Sequence, residues 1–355
     1  MMTEQNTISH IASIFDISEK TSWVLKAASI CGPINQRKLQ QELNHQGVSI
    51  SRGWVSESCD LLVQRKLLKL FESGKNHFYT IDEKTSELLR KYIRSLEFAS
   101  IENLIDKIPS HLQSSPEIKN DDAFLKNEND LYNRGRWGAA REKLRGYERR
   151  DLTPIQEGSR QRLLGWCCYY LGLKNKGPSP REKMGNEARE AFVKTLQVGK
   201  TQEDIDSALN GLPLVYYFLL SEPEKAVQVT RKAMQKAQSR ARILNVEGII
   251  KREEGFLGDA LDRFTQAYEA AQKEKDFRTC GHSLNNKART LLRLLPNLRF
   301  KQDVWREAKE LFEQSLVEYR KFEKETGESA DFHIQGVEKY LEDYKKKTAI
   351  GDEQR

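Results

Sequence analysis

One pattern recurs through the last two thirds of the 355-residue chain: an alanine followed, one helical turn later, by a larger residue. It appears as Ala140-x3-Leu144, Ala188-x3-Phe192, Ala226-x3-Thr230-x2-Ala233, Ala260-x3-Phe264-x2-Ala267 and Ala308-x3-Phe312-x2-Ser315. Positions i, i+4 and i+7 share one face of a helix, so each copy marks a helix whose inner stripe is small enough for a neighbour to come close. The alanines are 48, 38, 34 and 48 residues apart. Repetition at that scale predicts a stack of helical hairpins, each too small to bury its apolar face without its neighbours. Composition agrees. Charged residues are 31% and hydrophobic ones 38%, against about 25% and 45–50% in ordinary globular domains, which suits exposed amphipathic helices better than one large core. The expected class is mainly α.

Around these alanines the wording is also shared: Tyr132-Asn-Arg-Gly135-Arg-Trp137 leads into Ala140 as Gly255-Phe-Leu-Gly-Asp leads into Ala260. The set resembles tetratricopeptide repeats, whose unit length is about 34 residues. The resemblance implies about five repeats over residues 124–345, closed by a charged capping helix from Ala330 to Lys347. The two long intervals contain LKNKGPSPREKMGN and LPNLRFKQD, which read as inserted turns.

Residues 1–98 differ. They carry 13 basic and 11 acidic side chains, residues 99–122 carry 2 and 5, and residues 123–355 carry 44 and 36. Pro109-Ser-His-Leu-Gln-Ser-Ser-Pro116 has no apolar periodicity and reads as part of a linker. The expected organisation is therefore a first domain at 1–98, a linker at 99–122 and the repeats at 123–355.

In the first domain, a helix from Ser18 or Glu19 to Ile30 is stopped by Cys31-Gly32-Pro33. Asn35 caps a second, Gln36 to His45. Ser51 caps a third, running to about Lys66, with Val55, Cys59 and Leu62 as its buried stripe. LLKLF and HFYTI flank the turn ESGKN as a hairpin. A last helix opens at Asp82, with Leu88, Leu89, Tyr92, Ile93 and Leu96 as its apolar face. Three helices, a hairpin and a helix in about 80 residues resemble the winged helix-turn-helix family over residues 15–95. That resemblance implies double-stranded DNA as partner, with the third helix in the major groove and the hairpin against phosphate or the minor groove. Arg52, Ser56, Glu57 and Asp60 are expected to point outward. Arg52 can pair bidentately with guanine, and Ser51 and Ser56 can reach phosphate or base edges. Arg37 and Lys38 would touch the DNA backbone, with Lys75, Asn76 and His77 on the wing, while Trp54 either packs beside the stripe or stands exposed. Glu57 stands where bacterial members of the family commonly carry arginine, and a net charge of +2 over residues 1–98 is a thin footprint for DNA. Homodimerisation would double the contacts.

In the repeats, Leu209-Asn210, Leu244-Asn245 and Leu284-Asn285 recur. An asparagine amide both donates and accepts, so a column of them could grip the backbone of a bound peptide. Arg242 and Arg252, about one and two turns from Asn245, would share its face and hold a carboxylate. The basic run Arg134, Arg136, Arg141, Lys143, Arg145, Arg149 and Arg150 reads as a solvated face or as a docking surface for DNA or an acidic partner.

No catalytic reading emerges. The chain has no phosphate-cradling glycine loop, no G-x-S-x-G elbow and no H-E-x-x-H helix. No apolar run approaches the roughly 18 residues of a membrane span, and the polar opening MMTEQNTISHIASIF is not expected to be a secretory signal. Cys31, Cys59, Cys167, Cys168 and Cys280 form no C-x-x-C pair and are expected to be buried reduced thiols of a cytoplasmic protein. The six scattered histidines read as surface residues. No enzyme activity, cofactor, metal or membrane partner is expected. The combined expectation is a DNA-binding regulator controlled by a peptide or protein held in the repeat groove. The alternative is an adaptor in a multiprotein assembly, such as a defence or mobile-element complex, with both regions binding protein.

Overall fold

The computed structural model describes residues 17–31, 34–45, 51–73, 76–81, 98–108, 125–147, 151–295 and 301–353, with isolated positions 8, 11–13, 15, 48–49, 87 and 95. The protein is mainly helical and divides into two compact units, Met1–Asn103 and Leu104–Arg355.

The first unit contains α1 (Glu19–Cys31), α2 (Gln36–His45), α3 (Arg52–Gln64), β1 (Leu68–Ser73) and β2 (Asn76–Ile81). Short polar caps start the helices. Asn35 Oδ1 accepts from the Lys38 amide at 2.9 Å, and Ser51 Oγ from the Trp54 amide at 3.3 Å. Val55, Cys59 and Leu62 on α3 are fully buried against Val24, Leu25 and Ala28 of α1 and Leu39 and Leu43 of α2. Trp54 packs half-buried at the rim of this core. The strands are antiparallel, with Leu70 opposite Tyr79 and Ser73 opposite Asn76. Ile34 forms a bridge with Tyr79, whose hydroxyl accepts from Gln36 at 2.8 Å, so the hairpin is tied to the start of α2. The helix expected from Asp82, with Leu88, Leu89, Tyr92, Ile93 and Leu96, lies outside the described residues, apart from helical positions at 87 and 95.

A helix covers residues 98–106, where a linker was expected from residue 99. Ile101, Ile105 and Ile108 are buried, and that apolar spacing outweighs the acidic composition that suggested a linker. Pro109 to Pro116 lie outside the described residues.

The second unit is a row of helical hairpins: α4 (Lys126–Asn133) with α5 (Trp137–Gly146), α6 (Pro154–Lys174) with α7 (Pro178–Val198), α8 (Gln202–Leu214) with α9 (Pro223–Lys236), α10 (Arg240–Glu253) with α11 (Leu257–Glu274), and α12 (Phe277–Leu294) with α13 (Lys301–Thr326). A last helix, α14 (Asp331–Glu353), follows. Pro213 interrupts the hydrogen-bond ladder of α8, which continues as a π turn over Val215–Leu219. All five template alanines lie on the second helix of a hairpin and are fully buried. The larger residue one turn on is buried each time, as Leu144, Phe192, Thr230, Phe264 and Phe312.

The inserted turn expected in LKNKGPSPREKMGN is instead a short link, Asn175 to Gly177, between two helices of 21 residues each. Gly177 is the N-cap of α7 and Pro178 its first residue, where a proline costs no hydrogen bond. In LPNLRFKQD, Lys301 to Asp303 begin α13, while residues 296–300 lie outside the described set. Among the described residues, no helix is long and apolar enough to cross a membrane.

Candidate functional site

In the first unit, the buried stripe of α3 turns the opposite face outward. Ser51, Arg52, Gly53, Glu57, Asp60 and Gln64 are exposed, and a Cβ at Gly53 would meet nothing within 4 Å. Ser51 Oγ accepts the cap bond, which leaves its proton available to a phosphate. Ser56 is half-buried and turned toward α2, accepting from Gln36 Nε2 at 3.1 Å. Arg37 and Lys38 are exposed on α2, and His77 on β2. Asn76 opens β2, while Lys75 lies outside the described residues.

In the second unit, the first helices of successive hairpins are joined by a ladder of alternating charge. Arg162 of α6 pairs with Glu203 and Asp204 at 3.3 and 3.0 Å. Arg242 of α10 pairs with Glu203 at 2.7 Å and with Asp276, the α12 cap, at 3.0 Å. Despite the opposing effect of burial, these two carboxylates raise the Arg242 guanidinium above its ordinary value. Asp206 adds a second link, accepting from the Gln238 and Ser239 amides at 3.0 and 2.8 Å where α10 begins. Arg242 therefore already holds two carboxylates of its own chain.

Arg252 is also internally engaged. It is buried, bonded to Glu253 at 3.0 Å and to Asn286 Oδ1 at 3.1 Å. Burial first, and then the nearby positive charge of Arg289, push its guanidinium down to about 10.

The three asparagines do not share one register. Asn210 and Asn285 sit nine residues beyond the N-caps Thr201 and Asp276, whereas Asn245 sits six beyond Ser239. Asn245 is buried and its Oδ1 accepts from Asn286 Nδ2 at 3.1 Å. The Oδ1 atoms of Asn210 and Asn285 are buried without a hydrogen-bond partner, although the Asn285 side chain bonds the Tyr319 hydroxyl.

The basic run that begins at the end of α4 and continues along α5 is partly neutralised. Arg141 and Arg145 converge on Glu187, each at 2.7 Å, and Arg134 pairs with Asp130 at 3.0 Å. Arg136 and Lys143 remain exposed, and residues 148–150 lie outside the described set.

Sequence reasoning missed an aromatic cluster where the two ends of the second unit meet. Trp137 of α5 stacks on Tyr170 of α6 with ring centroids 4.6 Å apart, and Phe332 of α14 meets Trp137 edge-on at 4.8 Å. Beside them, His333 stacks on Tyr319 at 5.5 Å and meets His282 at 4.5 Å. His282 Nδ1 and the Tyr319 hydroxyl are 2.8 Å apart, and Arg278 of α12 donates to Asn133 of α4 at 3.2 Å. Burial, with the Arg278 charge second, pushes His282 down to about 3; burial likewise lowers His333, and the charge of His282 adds to the effect. These two histidines are half-buried members of the cluster, which corrects their assignment as ordinary surface residues. The available signal was the density of Trp and Tyr in GRWGAA and GWCCYY.

Cys59, Cys167, Cys168 and Cys280 are free and buried. Burial raises each thiol, to about 12 for Cys59, Cys168 and Cys280, so none is a nucleophile at neutral pH. Among the described residues, no cluster of His, Cys, Asp and Glu could hold a metal ion. The chain matches no protein-family model and no curated protein.

Proposed function

We propose that the protein is a DNA-binding regulator, with a winged helix-turn-helix in the first unit and a tetratricopeptide-like array in the second that binds a peptide or protein partner. The observation that carries the reading is the division of α3. Its stripe at Val55, Cys59 and Leu62 is sealed in the core, while its N-terminal turn offers Ser51, Arg52 and Gly53 to solvent, and Arg37 and Lys38 are exposed on α2. A helix start with open backbone, a hydroxyl and a guanidinium is suited to phosphate and to a guanine edge. The β1–β2 hairpin follows α3 in the chain, the order a winged helix-turn-helix would have. Five hairpins with fully buried alanines support the array.

A salt-titrated binding measurement on duplex DNA tests this. Affinity should fall steeply with added salt, since phosphate contacts release counterions. Arg52→Ala should weaken specific binding by about 1–3 kcal/mol with the fold intact. Exposed Glu57 and Asp60 on the same helix favour a second reading, an adaptor whose first unit binds protein. Absence of binding at about 50 mM salt would select that reading.

A further inference from the structure

The aromatic cluster has the form of an occupied binding seat. Its floor is Trp137, only 4% exposed, held by Tyr170 against its face, by the ammonium of Lys174 at 4.4 Å from its ring, and by a bond from its Nε1 to the Tyr132 carbonyl at 3.2 Å. The occupant is the ring of Phe332, which also lies 5.8 Å from Tyr170. The wall opposite is Gly135, in the left-handed region at φ 71°, where a Cβ would stand 3.2 Å from the Phe332 ring. Only glycine leaves that space free without strain.

The segment that delivers Phe332 is tethered on both sides. Behind it, Val337, Ile334 and Tyr340 of α14 pack against α12 and α13, with Tyr340 stacked on Phe312 at 5.2 Å. Ahead of it, residues 324–328 are exposed and Gly327 turns the chain at φ 71°, after which buried Ala330 is held by its amide donating to Glu323 at 2.7 Å. The contacts that Phe332 makes with α5 and α6 are ring contacts, and the ring is half-buried rather than sealed. Fraying of the first turn of α14, which also releases the His333 stack on Tyr319, would vacate the seat while leaving Tyr340 and Val337 in place.

We propose that Phe332 is an internal plug, and that the seat formed by Trp137, Tyr170 and Gly135 takes an aromatic side chain from a partner's peptide segment once the plug withdraws. This rests on reading the second unit as a partner-binding array and is independent of the DNA reading. A site free for only part of the time binds with an affinity reduced by that fraction, so the plug would set the threshold for the partner.

The chain's own segment supplies the probe. A labelled synthetic peptide covering Gly327–Gly336 should bind full-length Phe332→Ala at least tenfold more tightly than it binds the unmodified chain, read by fluorescence anisotropy. The same peptide with Phe332→Ala should lose that advantage. Bound peptide should slow hydrogen exchange in residues 126–174. If Phe332→Ala fails to fold, Phe332→Leu keeps apolar contact but gives up the ring, and the same difference is expected at smaller size. Equal binding to variant and unmodified chain, no binding to either, or protection elsewhere overturns the proposal. Protection that appears in residues 202–294 instead would overturn the plug and still support partner binding by the second unit, so failure of the plug and failure of the partner-binding reading are distinguishable.

Discussion

At the scale of single residues, the array handles buried charge by enclosing it completely. Arg160 is 2% exposed, yet its Nε and Nη2 meet the two oxygens of Glu157 at 2.7 and 3.0 Å, and its Nη1 donates to the Leu144 carbonyl at 2.9 Å. Lys194 and Gln161 complete the shell of Glu157. Burial alone would raise that carboxyl, but the bonds from Arg160 and Lys194 outweigh it and bring Glu157 down to about 2. A folded-state value below the ordinary 4.5 gives stability that is present above pH 4.5 and lost as pH falls toward 2. The difference corresponds to about 3 kcal/mol. His282 acts in the same direction by the opposite chemistry. It is neutral in the fold, so the unfolded chain takes up its proton first, and stability erodes as pH falls from 6.5 toward 3. Acid should therefore weaken the second unit over two overlapping windows. Urea denaturation across a pH series should show Glu157→Gln shrinking the lower one, which Glu187, Glu203, Glu253 and Asp276 share, while costing about 3 kcal/mol at neutral pH, because Arg160 then lacks its counter-charge. Unchanged stability at pH 7 in that variant would mean that solvent, not the protein, satisfies Arg160.

At the scale of elements, hairpins close where an aromatic ring lies on a glycine. A Cβ at Gly248 of α10 would fall 2.6 Å from the Phe264 ring, and one at Gly281 of α12 would fall 2.6 Å from Tyr319. Gly165 faces Phe192 in the same way, and Gly211 of α8 meets that ring from the next hairpin. Gly248→Ala should therefore cost about 1–3 kcal/mol by overpacking, even though alanine is the better helix former. Phe264→Leu in the same chain should recover part of the loss, a coupling that a double-mutant cycle measures. Additive losses would show that the ring and the backbone do not meet. Half of this arrangement was legible in the sequence: the alanine template marked all five second helices, and the Asn35 and Ser51 caps marked two helix starts to the residue. The glycine partners were not legible, because a glycine inside a helical pattern reads as a weakness until a ring is known to cover it. Gly177-Pro178 read as a turn for a related reason, since the same pair also begins a helix. The site was less legible than the fold. Spacing placed Asn245 and Arg242 on first helices but could not say that their polar groups were taken by Asn286, Glu203 and Asp276, which stand 34 to 41 residues away in the chain.

At the scale of the whole molecule, stability in the second unit is a nearest-neighbour property, and the ladder through Arg242 is where neighbours are joined by charge. Arg242 links α8, α10 and α12 through Glu203 and Asp276, and Asp276 in turn caps α12 through the Thr279 amide at 2.9 Å. Replacing it with leucine leaves Asp276 without a cation, while Glu203 keeps Arg162 at 3.3 Å. Glu203 is about half exposed and can turn to water, so the cost there is small; Asp276 is 15% exposed and cannot. Arg242→Leu should therefore cost about 1–3 kcal/mol, mostly through Asp276. Where each hairpin leans on its neighbours, that loss should appear as faster hydrogen exchange in α8, α10 and α12, fading toward α5, while α4 is reached through its bond to Arg278 of α12. The first unit has its own core, from Val24 and Leu39 to Val55 and Leu62, and its amides should keep their protection. Arg52, far from this ladder in sequence, should retain whatever DNA affinity the unmodified chain has. If exchange in residues 19–81 rose as much as in α10, the two units would be one cooperative body. The second unit could then control the first by stability alone, with no partner needed to carry the signal.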